Sequence, residues 1–498
     1  MLCFTANAQY GLPLTIEDLK MDAYLQNRQP ARMTIQVNNA PDSVKKVDIK
    51  CTFVTFGSNF QITKYYKTDA YGFIKITLDQ KLPYQQIWLS VGDYLYAGVY
   101  INTDLKVTID ASQIKNKDGV FLIGDGVTYS GFEGELNTAM NKHTLYKRDE
   151  QNKLTNELNE LCRARRKYTT DVFLKKTDSV WQALNRLDTE FIQQYPKFGW
   201  AINNETASQF YGMLCTAYWD DTIPQNLFAQ INNHKPYFTS NDGVLFYSYL
   251  NTYQTIKVLP GITNAIKRID SIYPQPKADI LKTFLLAKGK DSFELTYPEI
   301  LNSIKTEWCK RLVTNEFNET TTKQKKIDSL LASAKKLNNT DDFIGNPIVQ
   351  LPFDARLYKL ESIKDVNDFI LNLKAKFKNK ALVIDFWATW CAPCLQEMPF
   401  SKKLHEANKD LPVEYIYICT NSASNINVWK NKIADLQLPG THIFMNEKIV
   451  EELKSSFNNA GSGFPTYVVI DTNGKLRPKA IQWVQSLDRD KLKSAIGL

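Results

Sequence analysis

Short runs of alternating apolar and polar residues fill the chain from residue 9 to residue 125. Clear examples are residues 47–53, 74–79 and 105–110, in which every second side chain is apolar. A period of two is typical of β-strands that bury one face, and turns between such strands favour antiparallel sheets. The pattern therefore predicts a β-sandwich-like domain over residues 9–125.

The spacing of the apolar residues changes further along the chain. In residues 154–161, 181–191 and 327–334, apolar side chains recur every three or four positions. This is the pattern of a helix that turns one apolar stripe towards a core. It predicts an all-α region over residues 126–340. The polar residues 338–342 predict a linker at the end of this region.

Nearly continuous apolar segments occur at residues 381–387, 415–419 and 467–470. Strands that are apolar on both faces belong in the middle of a sheet that is covered by helices. The sequence thus predicts an α/β domain over residues 341–498. The expected fold is multidomain, with a β-sandwich, an all-α region and an α/β domain in that order.

Length and composition agree with this division. A chain of 498 residues has room for about three domains, and 43% hydrophobic residues is a globular value. The net charge of +8 is spread along the chain without a block of like charge, which argues against a nucleic-acid-binding arm. No run of about 18 apolar residues occurs, so the sequence predicts no membrane span.

The first residues of the chain have two interpretations. The apolar residues 2–4, followed by Ala6-Asn7-Ala8, have the form of the end of a signal peptide with an A-x-A cleavage site. The basic stretch that opens a signal peptide is missing, and the alternative is an ordinary frayed terminus. We expect residues 1–8 to be a signal-peptide remnant and the protein to be exported, with a periplasmic location.

The cysteines do not form a disulfide scaffold. Of the eight, Cys391 and Cys394 are the closely spaced pair. The others are Cys3, Cys51, Cys162, Cys215, Cys309 and Cys419. Setting Cys3 aside leaves an odd number of scattered cysteines, which we expect to be buried apolar side chains. The C-x-x-C pair could be half of a zinc site, but no second pair exists and the histidines are scattered. We therefore expect no metal.

Residues 390–394, Trp-Cys-Ala-Pro-Cys, follow the apolar strand 381–387 and precede an expected helix. Two cysteines three positions apart at a helix start lie on one face, close enough to bridge. The unpaired N–H groups and the positive end of the helix dipole stabilise a thiolate there. We expect Cys391 to attack disulfides and Cys394, one turn further in, to resolve the mixed disulfide.

Residues 383–394 resemble the active-site strand and helix of the thioredoxins. The resemblance implies that Asp385 handles the proton of the inner cysteine. A buried carboxyl has a raised pKa, which suits proton exchange near neutral pH, whereas the alternative is a purely structural carboxylate. The segment Phe464-Pro465-Thr466 precedes a strand and resembles the cis-proline loop of the family, which lies against the redox pair.

The order C-x-x-C-x-x-E-x-P that begins at Cys391 resembles the motif of the TlpA-like branch of the thioredoxin superfamily. The proteins of this branch are exported thiol–disulfide oxidoreductases. This resemblance implies that Glu397 tunes the thiols, although a solvated surface glutamate is the alternative. Trp390 and Pro393 belong to the motif as supporting residues. The resemblance covers residues 343–498 and implies a thioredoxin-like fold there. The regions upstream loosely resemble the β-rich and helical extensions ahead of some TlpA-like domains.

The resemblance implies a periplasmic reductase of protein disulfides that uses its C-x-x-C pair and needs no other cofactor. Its expected partners are protein thiols and disulfides and an electron-donor protein, without nucleic acid. The alternative is a partner- or ligand-binding protein in which the redox pair is regulatory. Trimming near residue 341 distinguishes the two, because an enzyme domain should keep basal exchange activity by itself.

Overall fold

The computed structural model describes residues 13–41, 46–78, 81–114, 126–258, 260–287, 293–337 and 344–498. Contacts divide the chain into two compact units, Met1–Phe317 and Asn318–Leu498. The predicted signal remnant at 1–8 and the linker at 338–342 lie outside the described residues, as does residue 125, after which a domain boundary is predicted.

The first unit contains two sheets. Its described strands are β1 (Arg32–Asn38), β2 (Asp48–Val54), β3 (Gln61–Lys67), β4 (Phe73–Thr77), β5 (Gln85–Val91), β6 (Leu95–Ile101), β7 (Asp104–Asp110) and β8 (Val127–Ser130). They form two four-stranded sheets, in the orders β4-β1-β7-β8 and β3-β2-β5-β6. Alternate side chains from both sheets, such as Ile35 and Leu89, share one core, so the alternation predicted these strands correctly. The expected antiparallel pairing is wrong for one pair of the described strands, because β1 and β7 run parallel. Strand β8 lies beyond residue 125, and its four residues are too short for an alternation to be recognised in the sequence.

Helices make up most of the rest of the first unit. They are α1 (Met21–Asn27), α2 (Gly134–Leu145), α3 (Arg148–Arg163), α4 (Thr170–Ile192), α5 (Gly199–Ala217), α6 (Gln225–Asn233), α7 (Asn241–Thr255), α8 (Ile262–Ile272), α9 (Lys277–Thr283), α10 (Phe293–Ser303) and α11 (Glu307–Ala332), the last of which continues into the second unit. Leu158 and Leu184, both on predicted stripes, are buried in the helical core. Among the described residues, no helix is long and apolar enough to cross a membrane.

The second unit is built on one mixed sheet. Its strands are β9 (Lys335–Lys336), β10 (Asn346–Leu351), β11 (Ala355–Leu360), β12 (Ala381–Trp387), β13 (Val413–Thr420), β14 (Gly440–Met445), β15 (Thr466–Ile470) and β16 (Leu476–Arg477). The further helices are α12 (Val366–Lys376), α13 (Ala392–Ala407), α14 (Ile426–Leu436), α15 (Glu447–Ser456) and α16 (Arg489–Ile496). The strand order is β16-β15-β12-β13-β14-β11-β10-β9.

The three apolar segments of the sequence form three adjacent interior strands of this sheet. Strand β12 pairs in parallel with β13 and antiparallel with β15, and all three are buried along their whole length. Each face of the sheet supports its own core, with Val383 on one side and Ile384 on the other. This explains the lack of alternation in the sequence, since both faces are covered.

Candidate active site

The cysteine pair lies at the beginning of helix α13, shortly after strand β12 ends. Cys391 is the N-cap residue of α13, and its Sγ accepts a hydrogen bond from the backbone N–H of Cys394 at 3.2 Å. The two sulfur atoms form a disulfide of 1.94 Å, with the Cα atoms 5.3 Å apart. Pro393 occupies the first turn of the helix, where its missing N–H leaves no helical hydrogen bond unmade.

The N-terminus of α13 determines the electrostatic surroundings of Cys391. The first N–H groups of a helix have no partner within it, and the helix dipole places its positive end there. All residues of this turn are described, and none of them is acidic. The backbone of this turn therefore favours a thiolate at Cys391, and no acidic side chain of the turn opposes it.

Asp385 lies on the sheet face that carries the redox pair. Alternation along β12 places it on the same face as Val383 and Trp387, which share a core with both cysteines. Its side chain is buried, and within the described part of the chain its Oδ1 has no hydrogen-bond partner. Burial, with a smaller contribution from the negative charge of Glu397, raises the pKa of Asp385 to about 8. Asp385 can therefore gain and lose a proton near neutral pH.

Glu397 follows Cys394 by one turn of α13 and is not a surface residue, since its exposed fraction is 3%. Its Oε2 accepts hydrogen bonds from the backbone N–H groups of Val484 and Gln485, at 2.6 and 3.1 Å. These N–H groups belong to a short 3-10 turn, and Trp483, directly before it, is 42% exposed. Glu397 thus ties the redox helix to the segment that presents Trp483.

Two aromatic rings lie beside the cysteines. Trp390, 54% exposed, donates its indole N–H to the carbonyl of Ser422 at 2.8 Å. The rings of Phe464 and Trp390 pack in a T-shaped arrangement, with centroids 6.1 Å apart and an interplanar angle of 73°. The peptide bond between Phe464 and Pro465 is cis. Phe464 also packs against the core that contains both cysteines, so the structure brings the predicted loop to the redox motif.

The other described cysteines are free and buried. Burial raises the pKa of Cys51, Cys162 and Cys215 to about 12, and it places those of Cys309 and Cys419 well above the usual range. Such thiols are poor nucleophiles at neutral pH. Among the described residues, no group of three His, Cys, Asp or Glu side chains is placed to hold a metal ion.

Sequence reasoning missed the residues that surround Asp385 in the sheet. Tyr417 on β13 and Tyr467 on β15 are its partners in register, and both are buried. Each strand could be identified from its own apolar run, but a single sequence does not give the register between strands. Trp483 was missed as well, because its link to Glu397 joins segments that are far apart in the chain.

Comparison with known proteins agrees with this geometry. The Redoxin family model matches residues 364–495, which lie within the second unit. The thiol-disulfide oxidoreductase ResA of Bacillus cereus is 31% identical over 138 residues, a match that covers 26% of this chain and 75% of that protein. The chain belongs to the ResA-like thiol–disulfide oxidoreductases of the thioredoxin superfamily. Its C-terminal region therefore has a thioredoxin-like fold, as the sequence predicted.

The ResA-like similarity is confined to part of each protein. ResA of Bacillus thuringiensis subsp. konkukian is 37% identical over 65 residues, and the chain spans only 38% of the length of that relative. A thioredoxin family protein of Chlorobium tepidum TLS, whose structure is known, is 26% identical, with 25% of this chain and 85% of that chain covered and a TM-score of 0.22.

Proposed function

We propose that this protein reduces disulfide bonds in other proteins, that it is exported, and that it works in the periplasm. The observation that carries the proposal is the Cys391–Cys394 disulfide at the N-terminus of α13. There Sγ of Cys391 accepts a hydrogen bond from the backbone N–H of Cys394 at 3.2 Å. The pair itself carries the two electrons of the exchange, so the proposal includes no other cofactor.

The reaction has two exchange steps. In the reduced protein, the Cys391 thiolate attacks one sulfur of the substrate disulfide, a mixed disulfide forms, and the other substrate sulfur leaves and takes up a proton. The Cys394 thiolate then attacks Sγ of Cys391, which closes the intramolecular disulfide and releases the second substrate thiol. The substrate gains two electrons and two protons. A dithiol electron-donor protein then reduces the Cys391–Cys394 disulfide and is itself oxidised to a disulfide.

Asp385 is proposed to accept the proton of Cys394 before the second step. Its carboxyl is buried on the face shared with the pair, and its pKa of about 8 lets it exchange protons near neutral pH. Glu397 supports this role, because its charge raises the pKa of Asp385. Separately, its two backbone hydrogen bonds hold the turn after Trp483.

The substrate is proposed to dock on the rings around Cys391. Trp390 and Trp483 are exposed, Phe464 stands against Trp390, and Pro465 follows it through the cis peptide bond. A few residues supply most of the binding energy at many protein interfaces, and tryptophan is enriched among them. This surface suits a protein segment with apolar side chains next to its disulfide.

The test is reduction of insulin disulfides by the full-length protein with a chemical reductant as electron source. Cys391→Ser should lose essentially all turnover above the uncatalysed rate, because the thiol at the helix N-cap that attacks the substrate is gone. Cys394→Ser should lose turnover too, and it should accumulate mixed disulfides when the reduced variant is mixed with insulin without the chemical reductant. The control is Cys162→Ala, which removes a buried thiol of the first unit and should keep wild-type activity. Equal activity in wild type and Cys391→Ser would refute the proposal and favour a regulatory redox pair.

A further inference from the structure

Lys454 is a lysine buried inside the second unit. It lies in the last turn of α15, and its exposed fraction is only 1%. Lysine is almost never fully buried unless its charge is paired, because removal of an ammonium group from water is costly even when a partner is present. A lysine in this position therefore needs an explanation in the contacts that its ammonium group makes.

The ammonium group contacts its own helix and the loop that follows. It forms an ion pair with Glu451 of α15 at 2.8 Å. It also donates a hydrogen bond to the carbonyl oxygen of Ser462, and Nζ lies 4.8 Å from the centroid of the Phe464 ring. The ammonium group thus contacts the loop at two points, the backbone carbonyl of Ser462 and the ring face of Phe464.

This loop has little packing of its own at its centre. A Cβ atom added at Gly461 or Gly463 would meet nothing within 4 Å, and Gly461 has a positive φ of 70°. Glycine in open surroundings allows many backbone conformations. Inside the loop, hydrogen bonds join Ser462 to Thr466 and Thr466 to the carbonyl of Gly463. The bond from Lys454 fixes this local structure to helix α15.

The loop connects Lys454 to the redox motif. Phe464, whose face contacts the ammonium group, packs at a steep angle against the ring of Trp390, which directly precedes Cys391. We propose that Lys454 is a positioning residue, which fixes the 462–465 loop and the Phe464 ring where a protein substrate docks beside Cys391. This inference rests on the proposed function, because it assigns the loop to substrate docking.

The inference separates docking from thiol chemistry. A small disulfide needs only an accessible Cys391 thiolate, whereas a protein disulfide must also meet the rings and the loop. Without the ammonium group the Ser462 carbonyl loses its donor, and the loop must be ordered each time a substrate binds. Ordering of loops and side chains at an interface weakens binding. Loss of Lys454 should therefore raise KM for a protein substrate and leave the reaction with a small disulfide unchanged.

The experiment uses full-length protein with Lys454→Met, which keeps an unbranched side chain and removes the charge. KM for insulin should rise about 5- to 10-fold, the size expected for a lost cation–π contact and a loosened loop. The rate of reduction of dithiobis(nitrobenzoate) should stay within about 2-fold, because the cysteine pair is untouched. Lys454→Arg should recover most of the insulin KM, since it restores the charge. Lys448→Met, at an exposed lysine of the same helix, should behave like the wild type.

A second variant guards against misfolding of Lys454→Met. Glu451→Gln removes the counter-ion of Lys454. The Glu451 side chain is 46% exposed, so the variant should raise the insulin KM by about 2-fold, as expected for a partly exposed pair. The inference is overturned when neither variant changes the insulin KM, or when both substrates are affected equally. Wild-type protein that reduces neither insulin nor the small disulfide would instead overturn the proposed function itself.

Discussion

Oε2 of Glu397, on helix α13, accepts a hydrogen bond from the backbone N–H of Val484, with 2.6 Å between the oxygen and the nitrogen. A glutamate in the middle of a helix is usually solvated, and a surface position was the alternative in the sequence. The buried carboxylate instead joins the redox helix to a segment near the end of the chain. Because the same carboxylate raises the pKa of Asp385, one side chain acts both on the exposed surface near Trp483 and on the buried acid.

Glu397→Gln should lower the pKa of Asp385. The substitution keeps an oxygen that can accept the two backbone N–H groups, but it removes the negative charge that disfavours ionisation of Asp385. Burial remains, so the pKa should fall below about 8 without returning to its ordinary value. Carbon-13 NMR titration of the Asp385 carboxyl in the oxidised protein measures this. Glu406→Gln, an exposed position on the same helix, is the control. An unchanged or higher pKa in Glu397→Gln would speak against the electrostatic role.

Asp385→Asn should slow the resolving step more than the first attack. With a pKa of about 8, Asp385 holds its proton at pH 6 and becomes available as a base as the pH rises past 8. In the wild type, decay of the mixed disulfide should therefore accelerate with pH across about pH 6 to 9. In Asp385→Asn the decay should be at least roughly tenfold slower at pH 8, the low end for general-base catalysis. Its acceleration should move to higher pH, where the Cys394 thiol ionises without the base.

Rapid-quench mass spectrometry follows the mixed disulfide in this pH series. Asp490→Asn, at an exposed aspartate of helix α16, controls for a simple loss of charge and should match the wild type. If Asp385→Asn keeps wild-type resolution kinetics over the whole range, the proton role is wrong and the carboxylate is structural.

Cys394→Ser should trap substrates, and Cys391→Ser should not. Removal of the inner thiol leaves the nucleophile at the helix N-terminus intact, so the mixed disulfide forms and has no intramolecular route to resolution. Affinity purification under non-reducing conditions, followed by mass spectrometry, identifies the trapped partners. Equal trapping by the two variants would reverse or abolish the assigned roles of the cysteines.

Residues 341–498 should fold alone and reduce insulin, because the redox pair and Asp385, Glu397 and Pro465 all lie within them. A protein that begins at residue 318 should be more stable. Leu331 and Ala334 pack against the core of the second unit, and β9 pairs with β10. Loss of this packing should lower Tm by about 3–8 °C.

Circular dichroism melts and the insulin assay compare these two truncated proteins with the full chain. Similar insulin activity, with a narrower set of trapped partners for the full chain, is expected when the upstream residues select partners. A truncated protein that is folded but inert would show that the upstream residues complete the site.

The sequence predicted those parts of the site that depend on local pattern. The apolar run 381–387 became a strand buried on both faces, and the spacing of Cys391 and Cys394 placed them at a helix start. Tyr417 lies beside Asp385 because of the register between their two strands, and the apolar runs in the sequence do not encode that register. The contacts of Lys454 with Ser462 and Phe464 go to a loop without periodicity, so no sequence pattern could indicate them.

The most direct test of thiol–disulfide exchange at Cys391 and Cys394 is a single turnover without any other reductant. Fully reduced full-length protein is mixed with insulin, the reaction is quenched by acid and alkylation, and the disulfides are located by mass spectrometry. We predict that each insulin disulfide lost is matched by one new Cys391–Cys394 bond, while the other cysteines are recovered as alkylated thiols. Insulin disulfides that persist, or that disappear without formation of the Cys391–Cys394 bond, would contradict thiol–disulfide exchange at this pair.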